Sequence, residues 1–167
     1  MSNSADDKPT EVASPACSMH EVDAAYMGFL GETEVLALLN ELLEAERAGA
    51  RVTLESAREA ASAPVSELMQ GIHHDEARYC AMLTRQIERL GGTPSERLGA
   101  FHGKAMAIGD LGERIVFLNR GQGWVVRKLK ENVARLRDDD LRADLLEMLR
   151  VHESNIDRAS QLASDTE

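Results

Sequence analysis

The feature that most constrains this chain is a set of apolar stripes, spaced for α-helices, that are interrupted by ionisable side chains. Met69, His73, Glu76, Cys80, Leu83, Ile87 and Leu90 follow one another by alternating steps of four and three, which keeps them on one side of a helix. Leu39, Leu43, Glu46 and Ala50 form a second stripe, and Leu141, Leu145, Met148, His152, Asn155, Ala159 and Leu162 a third. Glu46, His73, Glu76 and His152 thus stand where a helical protein keeps its core. A buried carboxylate or imidazole without a partner is costly. Several of them approaching from different helices imply mutual pairing or a shared metal ion.

The chain has 167 residues, rich in Ala, Leu, Glu and Arg, with only four prolines. Aromatic residues are scarce and β-branched runs are absent, so the composition favours helices over sheet. That length suits one domain with a single substantial core. Nineteen Lys and Arg against 29 Asp and Glu give a net charge of -10, a surface that repels phosphate backbones and argues against nucleic acid. The first eighteen residues are small and polar, without the basic and apolar regions of a secretory signal, and no stretch is apolar enough to span a bilayer. Two cysteines, Cys17 and Cys80, cannot build a disulfide framework, which is the usage of a reducing cytoplasm.

Residues 1–30 read as an arm, disordered at first and then apolar enough (Tyr26, Met27, Phe29, Leu30) to dock. Residues 31–163 hold four helices, and 164–167 are a polar tail. The first helix starts at an N-cap Thr33 followed by Glu34 and runs to about Ala61. Its outward stripe is expected to be Glu44, Ala48, Arg51, Glu55 and Arg58. The second begins at Pro64 and ends at Gly91-Gly92-Thr93-Pro94. Asp110 and Glu113 open the third in a capping-box pattern, and the acidic run Asp138–Asp140 opens the fourth. Two links are short, while residues 91–109 could extend roughly 60 Å, enough to run the length of a bundle. Short, long, short is the connection order of a ferritin-like four-helix bundle with a crossover between the second and third helices.

The motifs carry the comparison further. The stretch LLEAERAGAR (42–51) resembles the first-helix motif of rubrerythrin-like ferritin-like proteins, which implies a metal-ligand role for Glu46. In the second helix the family's Glu-x-x-His corresponds to His73-His74-Asp75-Glu76, with the two ligand types in reversed order. In the fourth, His152 matches the histidine, Leu149 occupies the glutamate position, and Glu153 is an extra carboxylate beside it. The third-helix stretch LNRGQGWVVRKL (118–129) has Asn119 and Gln122 where that family has acids. The chain also resembles a bacterial ferritin-like domain family sharing the LLEAERAGAR and LNRGQGWVV stretches, which implies no assigned activity.

The expected site is therefore a central metal centre, iron foremost, with Glu46, His73, Glu76, His152 and Glu153 as ligands and Asn119 and Gln122 orienting them. Two divalent ions ask for about four carboxylates; the acids at hand suit one ion better. Oxygen or peroxide redox chemistry would follow, which would make the chain a non-haem iron oxidoreductase. The competing reading is a metal-free bundle working as a protein-interaction or stress module, since an imidazole–carboxylate pair can satisfy itself. Phe117 and Trp124 form an apolar flank on the third helix, for the arm or for a dimer partner. Gly49, Gly71, Gly121 and Gly123 sit near helix middles, for close packing or for a small ligand. Cys17-x-x-His20 has the spacing of a weak metal pair.

Overall fold

The computed structural model describes residues 27–164, with side chains to residue 162. The described residues are all helical apart from turns and links: α1 Glu32–Glu59, α2 Ala63–Arg89, α3 Phe101–Met106, α4 Leu111–Asn132 and α5 Asp139–Ser164, with a 3₁₀ turn at Val133–Arg135 between the last two. No helix among them is long and apolar enough to cross a membrane. Cys17, His20, Tyr26 and most of the expected arm lie outside the described residues, as does the end of the tail.

Local signals explain most boundaries. Asp110 accepts the Glu113 N–H at 2.8 Å and Asp138 the Leu141 N–H at 2.9 Å, which satisfies first-turn donors of α4 and α5. Pro64 lies in the first turn of α2, and the helix stops at Gly91, whose φ of +76° a side chain would resist. The first helix differs from expectation. Its N-cap is Gly31, whose N–H bonds Glu34 Oε2 at 2.9 Å, so the Glu34 carboxylate serves the cap that Thr33 was expected to form.

Helix α1 packs on α2 and α4, and α5 packs on α2 and α4. Arg114 meets Glu59 at 2.7 Å and Lys128 meets Glu41 at 3.0 Å, so α4 runs antiparallel to α1. Arg89–Asp138 and Arg78–Glu147 set α5 antiparallel to α2 in the same way. The link after α2 follows α1. Ser95 N–H bonds Asn40 Oδ1 at 2.6 Å, Arg97 Nε donates to Glu44 at 3.0 Å, and His102 Nε2 lies 3.0 Å from Glu55 Oε1. Arg114, itself buried, closes the run by donating to the Ile108 carbonyl and to Glu59. From Asn40 to Glu59 that path covers about 28 Å of helix.

This path corrects the reading of the α1 stripe. Ala48 is wholly buried, and Glu44 and Glu55 are held by the link, while Arg51 and Arg58 stay exposed. A stripe of charged residues looked like a solvent face because the segment that covers it is polar too. Glu55 is taken by His102. The link also contains α3, which no periodicity announced.

The core has two apolar halves. Leu39, Leu43, Leu83, Ile87, Leu129 and Leu145 belong to one, and Val52, Met69, Ile72, Leu118 and Ala159 to the other. Each fully buried aliphatic side chain contributes about 2 kcal/mol. Between the halves, on all four long helices, lie Glu46, Glu76, Gln122 and His152. The expected inward stripe of α5 is buried from Leu141 to Ala159. That of α2 is rotated: Ile72, Tyr79 and Met82 are buried, whereas His73 and Cys80 are only half-buried.

The start of the described chain docks at the other end of α4. Leu30 N–H bonds the Arg135 carbonyl at 2.9 Å, and the Arg137 guanidinium lies 5.6 Å from the Phe29 ring. Phe29 therefore does not cover Phe117, which stacks instead on Phe101 of α3 at 4.9 Å.

Candidate functional site

Four helices bring four polar side chains into one buried layer, each at most 3% exposed. His152 stands on α5 one turn beyond Met148, whose carbonyl lies 3.0 Å from Nδ1. A carbonyl only accepts, so Nδ1 carries a hydrogen and Nε2 faces Glu46 Oε1 of α1 at 3.0 Å. Burial, the strongest single influence on this ring, disfavours its charged form. The Glu46 charge and hydrogen bond, with help from the Met148 carbonyl, outweigh it and raise the His152 pKa above the ordinary histidine value. The Tyr79 ring, 5.8 Å away, closes one side.

Glu76 of α2 is the second half of the layer. Gln122 Nε2 of α4 donates to its Oε1 at 3.0 Å, and Thr53 Oγ1 lies 3.1 Å from its Oε2. Burial, then the charge of Glu46, push the Glu76 carboxyl well above the usual carboxylate range; Asp75 adds to this, and the Thr53 and Gln122 hydrogen bonds oppose it. The Thr53 hydroxyl lies 2.9 Å from the Gly49 carbonyl. Its one hydrogen is shared between that carbonyl and Glu76 Oε2, 3.1 Å away.

Two acceptors of this layer remain without a donor among the described residues: Glu46 Oε2 and Gln122 Oε1. Both side chains line a pocket of about 480 Å³ that reaches Glu76 and His152 and is bordered by Phe101, Phe117 and Trp124. Two glycines shape it. Gly121 lets the Phe101 ring rest on α4, since a Cβ there would come 2.7 Å from the ring. Gly49 gives its space to the Glu76 carboxyl, and a Cβ would stand 2.7 Å from Cδ and closer still to Oε1.

Alanine at 49 would ordinarily gain about 1 kcal/mol of helix propensity. Here a net loss of about 1–3 kcal/mol is expected, because the buried carboxyl must shift. Thermal unfolding measures it, and a more stable variant would show that Glu76 swings clear.

The remaining expected site residues lie apart from this layer. His73 turns its ring to α1 and donates from Nδ1 to the Ala50 carbonyl at 2.7 Å. Glu153 is half-exposed and pairs with Lys130 at 2.6 Å. Asn119 donates to the Ile156 carbonyl at 3.3 Å and borders a different groove, between α4 and α5. Among the described residues, no three His, Cys, Asp or Glu side chains already stand close enough to share an ion. Cys80 packs beside the core, and burial, ahead of Glu46, pushes its thiol up to about 12, which disfavours the nucleophilic thiolate.

Thr53 was missed, although the α1 stripe extended by one further step of three from Ala50 falls on it. Phe101 gave no signal, because it lies in the link.

These features define the class: an all-α domain with a buried acid–imidazole–amide layer at the base of an aromatic-walled pocket. The chain belongs to the family described as Domain of unknown function (DUF6306), which matches residues 33–161. No curated protein and no solved structure matches it.

Proposed function

We propose that this chain is a ferritin-like four-helix bundle whose centre takes up a single divalent metal ion, iron foremost. Supporting the topology, α2 and α4 run in the same direction and the intervening link lies along α1, as a crossover would. The observation that carries the metal reading is Glu46 Oε2, a buried carboxylate oxygen with no donor among the described residues, next to a second carboxyl that its charge perturbs. A cation satisfies that oxygen and removes the repulsion between Glu46 and Glu76.

Glu46, Glu76 and His152 would hold the ion, with Gln122 Oε1 as an additional oxygen. Holding an ion would require Glu76 to give up its proton and its hydrogen bonds with Thr53 and Gln122, and His152 Nε2 to release its hydrogen, while the Met148 carbonyl would keep the imidazole oriented. Helix α4 contributes an amide and no inward acid, so the charge suits one ion rather than two. Iron bound there would supply oxygen or peroxide redox chemistry, with the pocket as the way in. Acidic surface charge keeps nucleic acid off, and a cytoplasmic location goes with a free Cys80 thiol.

Chain purified without chelators or a metal-binding tag should retain up to one equivalent of metal, read by elemental analysis and titration. Glu46→Gln should abolish retention, and Gln122→Glu should strengthen retention of a second ion. Two tight equivalents in the natural chain would refute the one-ion limit. No uptake by the natural chain or by Gln122→Glu would favour the metal-free interaction module. One observation already speaks for that reading: Glu46 pairs with His152, and Glu76 with Thr53 and Gln122, through direct side-chain hydrogen bonds.

A further inference from the structure

The pocket has features that a bare ion does not use. Phe101, Phe117 and Trp124 line it above the polar layer, and its volume of about 480 Å³ is about three times that of the ~150 Å³ apolar cavity that takes up benzene. A small organic molecule fits. The hydrogen-bonding need of the floor is one-sided. His152 Nδ1 gives its hydrogen to the Met148 carbonyl and Gln122 Nε2 gives one of its two to Glu76, while the Thr53 hydroxyl lies between the Gly49 carbonyl and Glu76. Each of these donor atoms has a partner, whereas two acceptors, Glu46 Oε2 and Gln122 Oε1, have none among the described residues. An occupant must therefore bring hydrogens, and an anion would meet Glu46 unfavourably. Arg120 and Arg127 border the pocket, but so do Glu41 and Glu44, so the rim favours neither sign. The wall tolerates a cation as well, since Lys128 Nζ already lies 5.4 Å from the centre of the Trp124 ring.

We propose that this pocket binds a small primary ammonium ion with an aromatic or short apolar body. Its N–H groups bond Glu46 Oε2 and Gln122 Oε1, and its body rests among Phe101, Phe117 and Trp124. The inference goes beyond the metal reading and needs no metal, because it accounts for the aromatic wall as well as the floor. The two occupants compete, since both use Glu46 Oε2.

The test uses the full chain after chelator treatment, titrated by calorimetry at pH 7 with benzylamine, benzyl alcohol and phenylacetate. Trp124, the single tryptophan of the chain, gives a second signal through its emission. Benzylamine should bind saturably and at least about tenfold more tightly than benzyl alcohol, as expected for a charge-assisted hydrogen bond. Phenylacetate should not bind. Glu46→Gln should erase the preference for amine over alcohol, whereas Phe101→Ala should weaken both ligands and keep the preference. Circular dichroism checks that each variant is folded; should Glu46→Gln unfold, the ligand series on the natural chain and Phe101→Ala still decide. Equal binding of amine and alcohol, or binding of none of the three, overturns the proposal. Zinc added to the benzylamine complex separates the two readings: displacement supports both, and an amine that stays bound supports the ammonium site while counting against the metal.

Discussion

Exchange of His152 for leucine is expected to destabilise the protein by about 3–5 kcal/mol, the usual cost of removing one partner from a buried ion pair. The ring is 1% exposed and lies 3.0 Å from Glu46 Oε1. Leucine restores the apolar volume but leaves both Glu46 oxygens without a donor, between two apolar halves of the core. His73→Leu is the matched control, expected to cost less than about 1 kcal/mol. Its ring is half-buried and its hydrogen bond goes to the Ala50 carbonyl, which water can reach in its place. Urea unfolding followed by circular dichroism measures both. Similar losses for the two variants would mean that the buried layer is no more tightly coupled than an ordinary helix contact.

Glu76→Gln should stabilise the protein by about 1–3 kcal/mol at pH 8, because the amide is neutral without the proton that burial and Glu46 impose on the carboxyl. The sign follows from proton linkage. Burial and the Glu46 charge raise the Glu76 pKa in the folded state, so in the window above the ordinary carboxylate range the native state holds a proton that the unfolded state has lost. Stability therefore falls as pH rises through that window. His152, whose folded pKa is also raised by Glu46 against the effect of burial, contributes in the same direction. Its share is present in full below the ordinary histidine value and is lost as pH rises through the raised one. The natural chain should thus be more stable at pH 6 than at pH 8, and Glu76→Gln should reduce that slope while leaving the His152 part. A natural chain that gains stability from pH 6 to pH 8 would show that Glu76 is ionised and compensated in the folded protein.

The apolar periodicity of the sequence was sufficient to place four long helices and the inward direction of α5, and that of α1 along Leu39, Leu43 and Glu46. Leu39, Leu43, Leu145 and their neighbours are buried as their spacing demands, because a helical stripe of large apolar residues has no better place than a core. The same stripes placed Glu46, Glu76 and His152 inside, where a polar group is conspicuous against leucine. Cap chemistry at Asp110, Asp138 and Gly91 was equally legible, being local.

Tertiary structure alone decided the rest. His73 and Glu76 share one stripe on paper, but packing rotates α2 enough to carry His73 to the rim and bring Ile72 and Tyr79 inward. A rotation of that size is set by side-chain volumes on neighbouring helices, which no single segment encodes. The pairing of Glu46 with His152, 106 positions apart, and of Glu76 with Gln122, 46 apart, depends on which helices become neighbours. Likewise, only the course of the link over α1 turned Ala48 into core and set Phe101 on Gly121. Periodicity reports how one helix meets an interior; which partners stand there depends on the docking of elements distant in the chain.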